Sequence, residues 1–292
     1  METLRGTFTA LVTPFRDGKL DFDALERLVA RQLDAGVDGL VPCGTTGEAP
    51  TLAFAEHRPI VSLVTKMAKK KAIVLAGSGA NSTAEALELV RINEDCGANA
   101  LLVVTPYYNK PSQEGLFRHY SAVAEATKLP IVLYNIPHRT GVEMTVETIK
   151  RLFDAHKNIV GLKHATGSVL GANDLMAACD IPVLSGDDPL TLPLMSIGAV
   201  GVISTVSNLF PKTIKQLTQA ALAGDWATAQ ATHRASYALS KALLSLDTNP
   251  VPIKTALALR GLCREEFRLP LCPMSAEKRK ALEALLDGSE LT

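Results

Sequence analysis

Lys163 lies inside Ile159-Val160-Gly161-Leu162-Lys163-His164-Ala165, a short run whose apolar content matches a buried strand. Taking an ammonium out of water is costly, and a desolvated lysine responds by lowering its pKa until a neutral amine is available near pH 7. That amine is the nucleophile of Schiff-base chemistry on a ketone. The alternative is a strand-end lysine whose stem packs while its head reaches water. The surrounding motifs favour the chemical use. Gly44-Thr45-Thr46-Gly47-Glu48 is either an ordinary turn or a loop whose backbone N–H groups cradle an anion. Tyr107, Tyr108 and Tyr134 are either packing aromatics or phenols for proton transfer. Arg139 is either a surface charge on a turn or a guanidinium suited to gripping a substrate carboxylate with two parallel hydrogen bonds.

Several other chemistries are disfavoured. Gly77-Ser78-Gly79-Ala80-Asn81-Ser82 follows a candidate strand and opens a helix, but it lacks the third glycine of a dinucleotide fingerprint. His57, His119, His138, His156, His164 and His233 show no metal-ligand spacing, so no metal site is expected. The cysteines, Cys43, Cys96, Cys179, Cys263 and Cys272, are odd in number and contain no C-x-x-C pair, which argues against a disulfide framework and a structural zinc site. Asn81-Ser82-Thr83 fits a glycosylation acceptor but is most simply a helix start.

The elements that must position these groups follow from periodicity. Short apolar runs alternate with longer amphipathic segments, the signature of β/α units around a parallel sheet. Eight runs are expected as strands: Thr7 to Val12, Gly39 to Cys43, Ala72 to Ala76, Ala100 to Val104, Ile131 to Tyr134, Ile159 to Lys163, Val183 to Ser185 and Gly201 to Ser204. One helix should follow Asp23 and end at Ala35-Gly36, and another should open at Ser82 with capping-box spacing to Glu85 and close near Cys96-Gly97. Eight such units in about 220 residues predict an α/β fold, a (β/α)8 barrel over 1–224. After Gly224-Asp225 the strand signal stops, and helices over Trp226 to Leu246, Pro252 to Gly261 and Ser275 to Asp287 form a small C-terminal helical region, 225–292.

Thirty basic and thirty acidic residues cancel, which removes the electrostatic footprint of a nucleic-acid binder or a polybasic membrane patch and leaves a small-molecule enzyme as the expectation. The start, Met1-Glu2-Thr3-Leu4-Arg5-Gly6, has no apolar signal-peptide core and no run approaches a membrane span, so a cytoplasmic enzyme is expected. Active sites of the barrel fold sit at the C-terminal ends of the strands. Gly44 to Glu48, Thr105 to Pro111, Asn135 to Gly141, Lys163 and Ser185-Gly186-Asp187-Asp188 all fall there.

Together with Tyr107-Tyr108-Asn109-Lys110-Pro111, Tyr134-Asn135-Ile136-Pro137-His138-Arg139-Thr140-Gly141 and Gly161-Leu162-Lys163-His164-Ala165-Thr166-Gly167, these motifs resemble the dihydrodipicolinate synthase family of the N-acetylneuraminate lyase superfamily over nearly the whole chain. The resemblance implies condensation of pyruvate with L-aspartate 4-semialdehyde, at the head of the diaminopimelate route to lysine, without an external cofactor. It implies Lys163 as the imine-forming amine and Tyr134 as the acid/base, working through a relay with Thr45 and with Tyr108 from a neighbouring subunit of a homotetramer. Thr46 and the loop N–H groups would hold the pyruvate carboxylate, with the backbone at Ile203 on the other side and Gly186 also in the substrate-binding set. Arg139 would bind the semialdehyde carboxylate.

Two departures stand out. His164 replaces a common glutamate, and its side chain should point away from the lysine because strand neighbours alternate faces. The lysine-inhibition site of many relatives corresponds to Ala49, Pro50, Phe54, His57, Asn81, Glu85 and Tyr107, with Phe54 in place of a common histidine and Pro50 in place of a small flexible residue. Other pyruvate lyases of the superfamily, handling N-acetylneuraminate or 2-keto-3-deoxy sugar acids, are the rival within the fold, but Arg139 would find no carboxylate on a polyhydroxylated aldehyde. A non-catalytic metabolite sensor is the rival outside it, and the joint presence of Lys163, Tyr134, Thr45 and Tyr108 argues against it.

Overall fold

The structure, a computed structural model, describes residues 4–289 and Leu291. Ten strands occur in it: β1 Gly6–Ala10, β2 Phe15–Arg16, β3 Lys19–Leu20, β4 Gly39–Val41, β5 Ile73–Gly77, β6 Ala100–Val104, β7 Ile131–Asn135, β8 Ile159–His164, β9 Val183–Ser185 and β10 Gly201–Ser204. All but β2 and β3 close into one parallel barrel in the order β1-β10-β9-β8-β7-β6-β5-β4. The eight expected runs are its staves, with ends shifted by two residues at most. The helices are α1 Phe22–Asp34, α2 Phe54–Ala68, α3 Thr83–Asp95, α4 Gln113–Glu125, α5 Pro137–Thr140, α6 Val146–Ala155, α7 Val169–Ala178, α8 Thr191–Ser196, α9 Pro211–Leu222, α10 Trp226–Ser245, α11 Val251–Leu259 and α12 Ala276–Asp287.

Two local features differ from expectation. The first helix starts two residues earlier than the Asp23 reading, because Asp21 is the cap: its Oδ1 accepts from the Ala24 N–H at 3.1 Å while its other oxygen is held by Arg16. Asp23 then sits in the first turn, where an acid suits the helix dipole. The antiparallel pair β2–β3 was not expected. It turns at Asp17-Gly18, both at positive φ, the conformation that favours an Asp-Gly hairpin turn. At the Ser82 start the hydroxyl accepts from the Glu85 N–H, as the spacing predicts, and the Glu85 side chain lines the cavity described below.

Strand alternation sorts side chains into two environments. Phe8, Ala10, Val41, Leu75, Leu102, Val132, Leu184 and Ile203 pack together inside the barrel. Leu101, Val103, Leu133, Leu162 and Val183 join the helices outside, among them Leu116, Ile149, Leu152 and Leu175. Residues beyond 224 pack onto this frame: Leu239, Leu243, Val251, Ile253, Leu257 and Leu282 share one apolar cluster with Val12, Leu28, Val202 and Val206. The C-terminal helices are thereby held against the side of the barrel that carries β1 and β10.

Candidate active site

Lys163 reaches its position by parity. Leu162 packs outward, so Gly161 and Lys163 face inward, and the register that pairs β7 with β8 sets Tyr134 beside Lys163. Lys163 is 6% exposed, and its Nζ lies 4.2 Å from the Tyr134 ring centroid. His164 takes the opposite parity, as alternation requires: its Nε2 meets the Ser168 carbonyl at 2.9 Å and the Thr166 hydroxyl at 2.9 Å. Gly186 packs directly on the lysine, for a Cβ there would stand 3.1 Å from Lys163 Cε and 2.6 Å from Ala165 Cβ. The absence of a side chain at 186 is what leaves the lysine stem its channel.

A cavity of about 350 Å³ opens at this end of the barrel, lined by Thr45, Tyr134, Ile136 and Arg139 and continuing past Phe54, His57, Glu85 and Tyr107. In the Gly44–Glu48 loop the N–H groups of Gly47, Glu48 and Ala49 are committed to the turn, donating to Gly44 O, Thr45 O and Gly44 O. The amides of Thr45 and Thr46 carry no such bond among the described residues, which makes them the loop's available donors. The Thr46 hydroxyl accepts from Asn249 Nδ2 at 3.1 Å and lies 3.3 Å from Thr205 Oγ1. Arg139, in the last turn of α5, donates through Nη2 to the Asn249 carbonyl at 3.0 Å, leaving the rest of its fork for an anion. Ile203 is buried on the inner face of β10.

Of the expected catalytic and substrate-binding residues, Thr45, Tyr134 and Arg139 line the cavity, Lys163, Thr46, Gly186 and Ile203 lie outside its lining, and Tyr108 stands at the surface. Tyr108 is 89% exposed, with φ at +73°, and its N–H donates to Thr140 O. Of the expected inhibitor set, Ala49, Pro50, Phe54, His57, Glu85 and Tyr107 all line the cavity, whereas Asn81 lies beyond it and accepts from Asn109 through its carbonyl. Phe54 stands edge-on to His57, with ring centroids 6.3 Å apart. Burial pushes the His57 imidazole down to about 4, opposed by the nearby Glu56 charge. The Tyr107 phenol is held above its ordinary value by burial and by Glu85.

Three groups beside the site are given no role by the sequence: Asp187 and Asp188, which it places only within a strand-end motif, and Asn249, which it does not single out. Asp187 is held above the usual carboxylate range by burial, against the pull of Lys163, His138 and His164. Asp188 accepts from the Ser204 hydroxyl and from the N–H groups of Thr205 and Val206 at 2.9 and 3.2 Å, which fixes the end of the strand carrying Ile203. Burial nevertheless raises its pKa to about 6. Their signal in the sequence is two acids immediately after a strand. Asn249 has no comparable signal, because its partners Thr46 and Arg139 are distant in the chain.

The motif for the Dihydrodipicolinate synthetase family matches residues 3–289. The 4-hydroxy-tetrahydrodipicolinate synthase of Geobacter metallireducens is 49% identical over 289 residues, covering 98% of this chain and 99% of that protein. The solved 4-hydroxy-tetrahydrodipicolinate synthase of Methylacidiphilum fumariolicum SolV superposes with a TM-score of 0.96 at 48% identity, covering 98% of this chain and 95% of that one. The dihydrodipicolinate synthase structure from Aquifex aeolicus gives 0.95 at 43% identity, with 97% of each chain covered. The closed eight-stranded parallel barrel with helices between its strands is a (β/α)8 barrel, the fold these solved structures share. More narrowly, the chain belongs to the dihydrodipicolinate synthetase family and is a lyase.

Proposed function

We propose that this protein condenses pyruvate with L-aspartate 4-semialdehyde to give 4-hydroxy-tetrahydrodipicolinate, the first committed step of the diaminopimelate route to lysine. The observation that carries the reading is the buried, inward-facing amine of Lys163 set 4.2 Å from the Tyr134 ring at the mouth of the barrel. The amine adds to the pyruvate ketone and expels water, and the resulting imine acidifies the methyl group so that proton loss gives an enamine. The enamine carbon then attacks the semialdehyde aldehyde, and the amino group carried by the semialdehyde adds to the regenerated imine and displaces the Lys163 amine, which closes the ring and frees the enzyme. Tyr134 moves the protons, with Thr45 and Tyr108 completing the relay. The pyruvate carboxylate is held by Thr46 and the amides of Thr45 and Thr46, with Gly186 and Ile203 shaping the opposite wall. Arg139 holds the semialdehyde carboxylate.

The exposure of Tyr108 supports its use in a neighbouring subunit, and a homotetramer in the cytoplasm, free of cofactor, membrane and nucleic acid, is the working assembly. The barrel over 1–224 and the helical region over 225–292 act as one catalytic unit, since Asn249 of the second touches Thr46 and Arg139 of the first. The cavity arm at Ala49, Phe54, His57, Glu85 and Tyr107, with Asn81 behind it, is the candidate allosteric site for lysine. Incubation with pyruvate and borohydride, peptide mapping, and a coupled assay with the semialdehyde test the proposal. An irreversible adduct on Lys163 together with turnover is expected. An adduct elsewhere, or none, refutes the Schiff-base assignment, and an adduct without turnover refutes the second substrate.

A further inference from the structure

Glu48 and Lys254 form an ion pair at 2.6 Å with both side chains wholly removed from solvent. The second Glu48 oxygen accepts from the Arg268 N–H at 3.2 Å. The Lys254 ammonium lies 4.1 Å from the centre of the Phe15 ring and 5.2 Å from that of Phe267, so aromatic faces take up its remaining surface. Such a pair does not explain itself by stability. Burying two charges costs as much as their attraction returns in many proteins, and apolar replacements of similar volume are often neutral or stabilising. Glu48 also sits at φ +57°, a left-handed conformation that a non-glycine residue holds only when its surroundings enforce it.

What the pair does fix is a position. Glu48 closes the loop that carries Thr45 and Thr46, and Lys254 belongs to α11, the helix that follows Asn249. Asn249 donates to the Thr46 hydroxyl, so one segment of chain grips the loop at both Thr46 and Glu48. The same segment receives Arg139 on the Asn249 carbonyl. From the other side Thr13 Oγ1 donates to the Gly47 carbonyl at 2.7 Å. The loop is therefore clamped between the barrel and α11, with the charged pair as its deepest fastening.

We propose that Glu48 and Lys254 are positioning residues for the condensation, a buried clamp that sets the Thr45-Thr46 loop against Lys163 and keeps it in register with Arg139. The proposal rests on the function given above. It predicts that loosening the clamp lowers turnover even where the fold survives.

The test uses the full-length protein and three readouts: thermal midpoint, kcat and KM for pyruvate, and the rate of borohydride trapping at Lys163. The double variant Glu48→Gln with Lys254→Met removes both charges and should fold with a midpoint near that of the parent. Its pyruvate KM should rise and its kcat fall, together by on the order of tenfold or more, because displacing a reacting group by about 1 Å costs up to about a hundredfold. The second variant, Glu48→Asp, keeps both charges but shortens the arm by one methylene, and the same kinetic loss is expected in a folded protein. A pair that only held the fold together would behave differently: it would lower the midpoint in the single variants and leave the folded double variant with parental kinetics. That result overturns the proposal, as does a folded Glu48→Asp with parental kcat and KM. A parent enzyme that forms no pyruvate adduct on Lys163 would instead overturn the function on which the proposal rests.

Discussion

Replacing Gly186 with alanine perturbs the lysine without touching its chemistry. The new methyl would stand 2.6 Å from Ala165 Cβ, 3.0 Å from the His164 carbonyl and 3.1 Å from Lys163 Cε. Ala165 is buried on the inner face and the His164 carbonyl is already accepting from the residue 186 N–H at 2.7 Å, so neither yields easily. Of the three neighbours, the lysine stem is the most flexible and moves first. Overpacking of this kind typically costs about 1 to 3 kcal/mol, which a chain of this size survives at reduced thermal stability. A displaced amine matters more, since a shift of some tenths of an ångström to 1 Å at a reacting atom lowers its rate by roughly tenfold to a hundredfold. The expected result for Gly186→Ala is a folded protein with a modestly lower thermal midpoint and at least a roughly tenfold slower pyruvate adduct formation, read by borohydride quench and intact mass. A folded variant that traps pyruvate at the parental rate would show that the channel at 186 does not position Lys163.

Arg139→Ala should reduce condensation on the order of a hundredfold while leaving pyruvate trapping nearly intact, and equal loss of both would refute the separate carboxylate roles. Tyr134→Phe keeps the ring beside Lys163 but removes the phenol, so turnover should fall roughly a hundredfold or more; near-parental turnover would return Tyr134 to a packing role. Inhibition by L-lysine should be weak, because Phe54 offers no hydrogen bond where a histidine would; strong inhibition at submillimolar lysine would refute this, and inhibition gained by Phe54→His would support it. His57 and His119 are both buried with pKa pushed down to about 4. The unfolded chain therefore binds more protons between the ordinary value and 4. Their stabilising contribution is complete above about pH 6.5 and lost as pH falls toward 4, by up to about 3 kcal/mol each. Urea unfolding at pH 7.5 and 5 checks this, and an unchanged pH dependence in the His57→Gln, His119→Gln double variant would refute it.

The staves of the barrel are legible in the chain because each is an apolar run flanked by amphipathic segments, and the parity that turns Lys163 inward and His164 outward is already in the order of residues 161–165. Where local rules admit two answers, tertiary partners choose. Asp21 and Asp23 are both sound caps by residue type, and the ion pair with Arg16 selects the first. The β2–β3 hairpin has a local signal in Asp17-Gly18, but its strands are two residues each, too short for an alternation to register. Asn249 and Lys254 are different again. Each meets a partner some two hundred residues earlier, and no periodic pattern in either segment announces the contact.

Placement of the site thus divides between two kinds of constraint. The strand ladder fixes Lys163, Tyr134 and Ile203 on the inner face, where register and alternation leave little freedom. The loops that would hold the two carboxylates have no ladder, and the Gly44–Glu48 loop and Arg139 acquire their geometry from contacts to 248–254 instead. A carboxylate grip that is to act on a bond forming at Lys163 must be as well placed as the lysine itself, because the effect of orientation is lost over about an ångström. Deleting the C-terminal helices would therefore remove more than apolar cover from β1 and β10. It would free the Gly44–Glu48 loop while leaving the amine in place, so a barrel that still folded would be expected to form little product.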